Sequence, residues 1–268
     1  MTKKFSFVTI FNLLIYASIV AAQPNLNTFF VNEGLVGSIT IYDLKNDKWI
    51  YSDEKDAETR LLPASSFKIL NSLIALEVKA IKTNGVLKWD GTNKMFRGKV
   101  IASWNSDTDI ETAFKNSTIW FYVELSKKIG KKRYKEYLNK INYGNLKLDE
   151  KGFDFWNYGD FAVSPKDQIN FLLKFYKNEL PFSKENMEYV KNIMIQEKND
   201  NYVLKGKTGW GIRKEQEIGW YIGYIEVKNN VYFFATRIIS DTKNMPSNFS
   251  SSRKTITMTA LKELNFVK

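Results

Sequence analysis

Two short stretches hold side chains whose types and spacing could do covalent chemistry. In Ser65-Ser66-Phe67-Lys68 a hydroxyl stands three residues ahead of an amine. At helical spacing those positions share a face, so the Lys68 amine can reach the Ser65 hydroxyl. If Ser65 opens the helix, free backbone N–H groups and the helix dipole lie near its oxygen. Lys68 is flanked by Phe67, Ile69 and Leu70. Burial among such residues disfavours the ammonium and leaves a usable base. S-x-x-K alone is a weak pattern, and its ordinary reading is a serine cap with a lysine reaching solvent. Much later, Lys207-Thr208-Gly209 puts a cation beside a hydroxyl on a strand-like stretch. That pair suits a carboxylate, and the glycine would let a ligand approach the backbone. Alone, the tripeptide reads as a basic turn. Downstream of an S-x-x-K it gains weight.

Composition removes most competing chemistries. The 268 residues include no His and no Cys. A Ser-His-Asp triad, a Cys-His dyad, an HExxH zinc site and disulfides are therefore excluded. Acid–base work must fall to Lys, Tyr, Asp or Glu, and no metal centre is expected. The 40 Lys and Arg against 29 Asp and Glu give a net charge of +11. Such a charge could serve nucleic acid, an anionic surface or a small anionic substrate. The N-terminus chooses among them. Lys3 and Lys4 precede a mostly apolar run from Phe5 to Val20, and Val20-Ala21-Ala22 offers small residues for cleavage. Residues 1–22 thus read as a secretory signal peptide, with an uncleaved anchor as the alternative. Export argues against a nucleic-acid partner, and cleavage would leave no stable membrane span. Localisation is expected to be periplasmic or secreted.

The elements that must position these groups are partly legible. Gly37–Tyr42 alternates like a strand, and Asn46-Asp47 turns into a second at Trp49–Tyr51. Pro63 and the serines begin a helix whose apolar residues lie on most faces, as in a buried helix. Residues 81–116 look polar and irregular. A helix is expected from Ser117 to Gly130, and a short amphipathic one over Arg133–Lys140. The basic run of Lys127, Lys128, Lys131, Lys132, Arg133 and Lys135 reads as a solvated helix face. Tyr143-Gly144-Asn145 is a turn signal. Ser164-Pro165-Lys166-Asp167 looks like an N-cap, a proline at the first helical position and an acid in the first turn. Gly219–Val227 and Val231–Ile239 read as a hairpin around Asn229-Asn230, where asparagine tolerates positive φ. Ser252–Leu264 closes the chain as a helix.

The expected fold is mixed α/β. An antiparallel sheet from the N- and C-terminal parts (about 23–60 and 200–268) is flanked by helices and joined by a mainly helical subdomain (about 61–199). Residues 23–268 would form a single catalytic domain.

Pro63-Ala64-Ser65-Ser66-Phe67-Lys68 resembles the active-site motif of class D serine β-lactamases, the oxacillinases. The S-x-x-K and K-T-G pair is shared with penicillin-binding proteins and other serine β-lactamases. Further ordered elements are similar to class D. Ser117-Thr118-Ile119 stands where that class has S-x-V, so Ile119 is a departure. Tyr143-Gly144-Asn145 matches its Y-G-N, Phe155-Trp156 its F-W pair, and Arg253 its substrate-carboxylate arginine. The resemblance covers roughly residues 37–264.

This resemblance implies a β-lactamase that opens the lactam amide through a Ser65 acyl-enzyme, with a serine β-lactamase/transpeptidase-like fold. Lys68 would be modified to N6-carboxylysine by CO₂ or bicarbonate and act as general base, with no other cofactor. Trp156 would donate its indole N–H to the carbamate, and Ile119 would wall it. The backbone N–H groups of Ser65 and Trp210 would hold the oxyanion, and Gly209 would leave room for substrate. Ser117 and Lys207 would pass a proton to the leaving nitrogen. Thr208 and Arg253 would hold the substrate carboxylate, and Tyr143 is expected on the substrate side. Ser117 as a helix cap, Phe155 and Trp156 as core aromatics, Tyr143 as an architectural residue, Asn145 as a turn residue and Arg253 as a surface charge remain open alternatives. Two other functions share these motifs: a penicillin-binding enzyme acting on cell-wall peptides, and a β-lactam sensor that is acylated but not turned over. The chain reads as short and complete, with one apolar segment and no zinc-protease motif, which disfavours the sensor.

Overall fold

The last third of the chain is apolar on alternate and on successive positions, so a sheet built from it must be covered on both faces. The computed structural model describes residues 24–267. The proposed signal segment lies outside the described residues. Helix α1 (Asn27–Asn32) leads into strands β1 (Val36–Asp43) and β2 (Lys48–Tyr51), then helix α2 (Glu54–Glu58). A 3-10 turn (Ala64–Phe67) runs directly into helix α3 (Lys68–Glu77). Four two-residue strands follow: β3 (Val86–Leu87), β4 (Met95–Phe96), β5 (Lys99–Val100) and β6 (Thr108–Asp109). Next come helices α4 (Ile110–Asn116), α5 (Ile119–Ile129), α6 (Lys131–Ile141), α7 (Pro165–Tyr176) and α8 (Lys184–Ile193). Strands β7 (Ile195–Lys198), β8 (Tyr202–Arg213), β9 (Gln216–Val227) and β10 (Asn230–Asp241) precede the closing helix α9 (Phe249–Glu263).

Six strands form one antiparallel sheet in the order β2-β1-β10-β9-β8-β7. Its two ends of chain meet where β1 pairs with β10, Ile39 opposite Thr236. Side chains alternate between faces along each strand. Trp220, Ile222 and Tyr224 on β9, with Phe233 and Ala235 on β10, pack into the core shared with the central helices. Their neighbours Tyr221, Ile225, Phe234 and Ile238 join a second core under α1 and α9. This double covering explains why β9 and β10 read as nearly continuous apolar runs.

Helix α7 starts as its sequence dictates. Ser164 accepts from the Asp167 N–H, Asp167 accepts from the Ser164 N–H, and Pro165 occupies the first turn, forming a capping box. Helix α4 lay within the stretch read as irregular. Asp109 caps it by accepting from Thr112 N at 2.7 Å, and Ile110, Ala113 and Phe114 are buried beneath it. The β9–β10 hairpin forms, but its two-residue turn is Lys228-Asn229, and neither adopts positive φ. Asn230 instead opens β10 and donates to Asp43 Oδ1 at 2.8 Å. The paired positive-φ turn is Lys214-Glu215, between β8 and β9.

Candidate active site

The motif Pro63–Lys68 folds as a 3-10 turn feeding α3, and every residue from Lys68 to Leu76 is buried. Ala64 enters the turn at φ +49, a left-handed conformation that costs a non-glycine residue about 1 kcal/mol. The Ala64 N–H donates to Trp156 O at 2.8 Å, which holds it there. Ser65 thus sits at the head of the helix, 8% exposed. Lys68 Nζ lies 2.6 Å from Ser65 Oγ, and the lysine has no exposed surface. Burial lowers the Lys68 pKa to about 7, while the charge of Asp154 acts in the opposite direction.

Strand β8 runs against this turn because Gly209 has no side chain. A Cβ there would stand 2.7 Å from Pro63 O and 3.0 Å from Ser66 N. On its Cβ side the chain's own backbone occupies the space, while Gly209 also lines the cavity where a ligand was expected. Its place on β8 carries Lys207 and Thr208 to the cleft. Lys207 Nζ donates to Ser117 Oγ at 2.8 Å, across a sequence gap of 90 residues. Burial, then the charges of Lys68, Arg253 and Lys254, hold the Lys207 pKa well below the usual lysine value. Ser117 ends α4 in a left-handed conformation, φ +57, so it is a helix terminus and a partner of Lys207 at once.

Ser65, Ser117, Ile119, Thr208, Gly209, Trp210 and Arg253 line one cavity of about 260 Å³. Arg253 is 6% exposed, not a surface charge. Its guanidinium donates to Gly209 O and, through Nε, to Ser250 O at 3.0 Å. Burial lowers its pKa to about 10. Trp156 is fully buried, stacked on Phe67 with ring centroids 5.5 Å apart. Its indole N–H is buried without a protein partner. A buried donor left unpaired costs about 1–3 kcal/mol, and such an orphan marks a place for an acceptor.

Residues 36–261 match the family model of the penicillin binding protein transpeptidase domain. A solved class D β-lactamase from Sebaldella termitidis is 44% identical, with a TM-score of 0.86, covering 91% of this chain and 97% of that one. The β-lactamase OXA-20 of Pseudomonas aeruginosa is 35% identical over 245 residues, 88% of each chain. The chain belongs to the class D β-lactamases. The regulatory protein BlaR1 of Bacillus licheniformis is also related, at 36% identity over 214 residues, which is 79% of this chain but 35% of that protein.

Of the two roles open to Tyr143 in this class D chain, substrate side or architecture, its position fits the second. Tyr143 is 1% exposed and does not line the cavity. Its hydroxyl donates to Gln168 Oε1 at 2.5 Å, Gln168 Nε2 donates to Ser66 Oγ at 2.9 Å, and Ser66 donates to Pro63 O at 2.7 Å. Tyr143 therefore braces the Ser65 turn from behind, with its ring 6.3 Å from that of Phe67. The turn it heads is tight: Gly144 has φ +74, and a Cβ there would meet Ala162 O at 2.8 Å. Conversely, Phe96, Ile101, Trp104, Asn116 and Ser250 line the cavity although the motifs did not mark them. Phe96 and Trp104 were visible only as isolated aromatics in a polar stretch. Among the described residues no helix is long and apolar enough to cross a membrane, and no cluster of His, Cys, Asp or Glu could hold a metal ion.

Proposed function

We propose that the chain is an exported hydrolase that opens the β-lactam amide of penicillin-type antibiotics and so confers resistance. The observation that carries this reading is the 2.6 Å contact between Lys68 Nζ and Ser65 Oγ, away from water and beside the Lys207–Ser117 pair. Ser65 Oγ attacks the lactam carbonyl carbon and gives up its proton to the adjacent base. The developing oxyanion takes the backbone N–H groups of Ser65 and Trp210. The C–N bond breaks as the nitrogen receives a proton from Ser117, which Lys207 resupplies. Thr208 and Arg253 hold the substrate carboxylate, and Arg253 brings a charge already stripped of water. Water then attacks the ester carbon, and Ser65 leaves with its proton restored.

The residues around Lys68 fit a carboxylated side chain. A lysine with a lowered pKa has a neutral amine available for CO₂, and the unpaired Trp156 indole N–H offers a donor to a new oxygen. When present, the carbamate would supply the general base for both acylation and release. Ile119, on the cavity wall, would keep its surroundings apolar.

A second reading is a β-lactam sensor domain that is acylated but not turned over, and the match to part of a regulatory protein is compatible with it. Purified chain, a chromogenic cephalosporin and oxacillin, in bicarbonate buffer, separate the two. Many turnovers per molecule support the hydrolase. One stoichiometric burst, with the acyl group retained in the intact mass, overturns it.

A further inference from the structure

Glu217 on β9 has no exposed surface, yet it is none of the residues that chemistry at Ser65 requires. Its carboxylate accepts from Arg97 Nη1 at 2.7 Å and Nη2 at 2.6 Å, and from the Trp210 indole N–H at 2.7 Å. A buried carboxylate demands such donors, and a forked guanidinium matches its two oxygens. Arg97 comes from the tip of the β4–β5 hairpin, where Arg97 and Gly98 both have positive φ. Positive φ at both positions is the type I′ geometry that suits a two-residue hairpin turn, at a cost of about 1 kcal/mol for a residue such as Arg97. Little of the hairpin's own surface is buried, for Met95 and Val100 are more than half exposed. The hairpin is tied down by Arg97, lying 4.9 Å over the Trp210 ring, by Phe96, whose ring meets Trp210 edge-on at 5.6 Å and lies 6.1 Å from Trp104, and at its base by the Lys94 N–H donating to Asn105 Oδ1 at 2.7 Å. Phe96 and Trp210 are both walls of the catalytic cavity.

We infer that Glu217 is a positioning residue that straps the 95–100 hairpin across the cleft through Arg97, and thereby sets how well the cleft holds a bulky substrate side chain. One carboxylate fixes both walls, the Trp210 ring directly and Phe96 through its neighbour. Arg97 and Glu217 do not themselves line the cavity, so the strap acts on fit through the Phe96 and Trp210 side chains and takes no part in proton transfer. This inference rests on the proposed β-lactam reading for its substrates.

The test compares oxacillin, with its aryl side chain, and 6-aminopenicillanic acid, which has no acyl side chain. In Arg97→Ala, KM for oxacillin should rise about 10-fold at unchanged kcat, the equivalent of one lost charge-assisted contact. KM for the small substrate should stay within about twofold. Arg97→Lys should recover part of the loss, because it keeps the charge but not the fork. The double variant Arg97→Ala/Glu217→Gln should be no worse than Arg97→Ala, since the two residues act as one unit. Amide hydrogen exchange over residues 94–101 should speed up in Arg97→Ala while β8 and β9 keep their protection. Equal effects on both substrates, or unchanged exchange in the hairpin, would overturn the strap. Wild-type chain that hydrolyses neither compound would end the proposed function instead, and the exchange measurement would still decide whether Glu217 holds the hairpin.

Discussion

Lys68 Nζ lies one helical turn from Ser65 Oγ, at 2.6 Å, in a place where the lysine meets no solvent. Desolvation drops its pKa from 10.5 to about 7. A protonated amine cannot accept the serine proton, so in bicarbonate-free buffer the acylation rate should rise with pH through about 7 and level off above it. Stability follows by linkage. Between about 7 and 10.5 the unfolded chain binds the proton that the folded chain has lost, so stability rises with pH across that window. Below it the full cost of burying the ammonium remains. Lys68→Met removes that cost, and the variant should melt higher than wild type at about pH 6, with the gap narrowing toward about pH 9. A gap independent of pH would mean that the lysine is not buried in solution as it is in the structure.

Removing either member of the pair should separate the two halves of the reaction. Ser65→Ala leaves no nucleophile, so intact mass should show no acyl adduct with any β-lactam. Lys68→Ala keeps the hydroxyl but takes away its base, and general-base loss typically costs about 10²–10⁴-fold. Acylation there should be slow and the adduct should persist. Turnover at the wild-type rate in either variant would exclude this site.

Trp156→Phe tests the unpaired indole N–H. A phenyl ring can still stack on Phe67, but the donor and part of the buried ring volume are both lost, so the bicarbonate dependence and not the activity alone carries the test. If that donor serves a carboxylated Lys68, the variant should need more bicarbonate for full activity, and release should slow more than acylation. Carbon-13 NMR with labelled bicarbonate should show a weaker carbamate signal. An unchanged signal and unchanged bicarbonate dependence would make Trp156 a packing residue alone.

Arg253→Ala removes a buried guanidinium that faces the cavity beside Gly209. A charge-assisted hydrogen bond to a carboxylate contributes about 1.5–3 kcal/mol, so KM should rise about 10- to 100-fold. Because that contact is present before and during reaction, kcat should change little. A substrate esterified at the carboxylate should lose its discrimination between wild type and variant. If the ester and the free acid respond alike, Arg253 acts through Gly209 and not on substrate.

Much of this site was legible because its motifs are local. Ser65 and Lys68 share one turn, and Ser164 and Asp167 announce their helix by a capping box that needs no distant partner. The sheet followed from β-branched alternation and long apolar runs. What stayed hidden depends on contacts far apart in sequence. Glu217 looks like any surface glutamate until Arg97, 120 residues away, closes over it. Tyr143 matched a motif, but a motif does not show which way a ring points. The structure turns it away from the cleft, toward Gln168. Gly209 lines the cavity as assigned, but what excludes a side chain there is the backbone of Pro63 and Ser66, which no local pattern could show. Helix α4 was missed because its apolar residues are few and its stretch is dominated by Asn, Asp and Lys.

Phe67 lies inside the catalytic motif, yet its ring faces away from the chemistry, and this makes the motif itself part of the core. It has no exposed surface and packs against Tyr134, Tyr143, Phe155, Trp156 and Phe161, with centroids between 5.3 and 6.3 Å. Removing so large a buried ring typically costs about 3–5 kcal/mol, part of it lost transfer energy and part the cavity left behind. Phe67→Ala should lower the urea midpoint by that equivalent at unchanged m-value. Phe67→Leu keeps most of the volume and should cost about 1.5 kcal/mol. It also removes the surface on which Trp156 stacks, so release of the acyl group should slow in this folded variant while Ser65 still acylates. Wild-type release rates in Phe67→Leu would show that Trp156 is held by Phe155 and the backbone alone, and that the aromatic residue of the motif serves only the core.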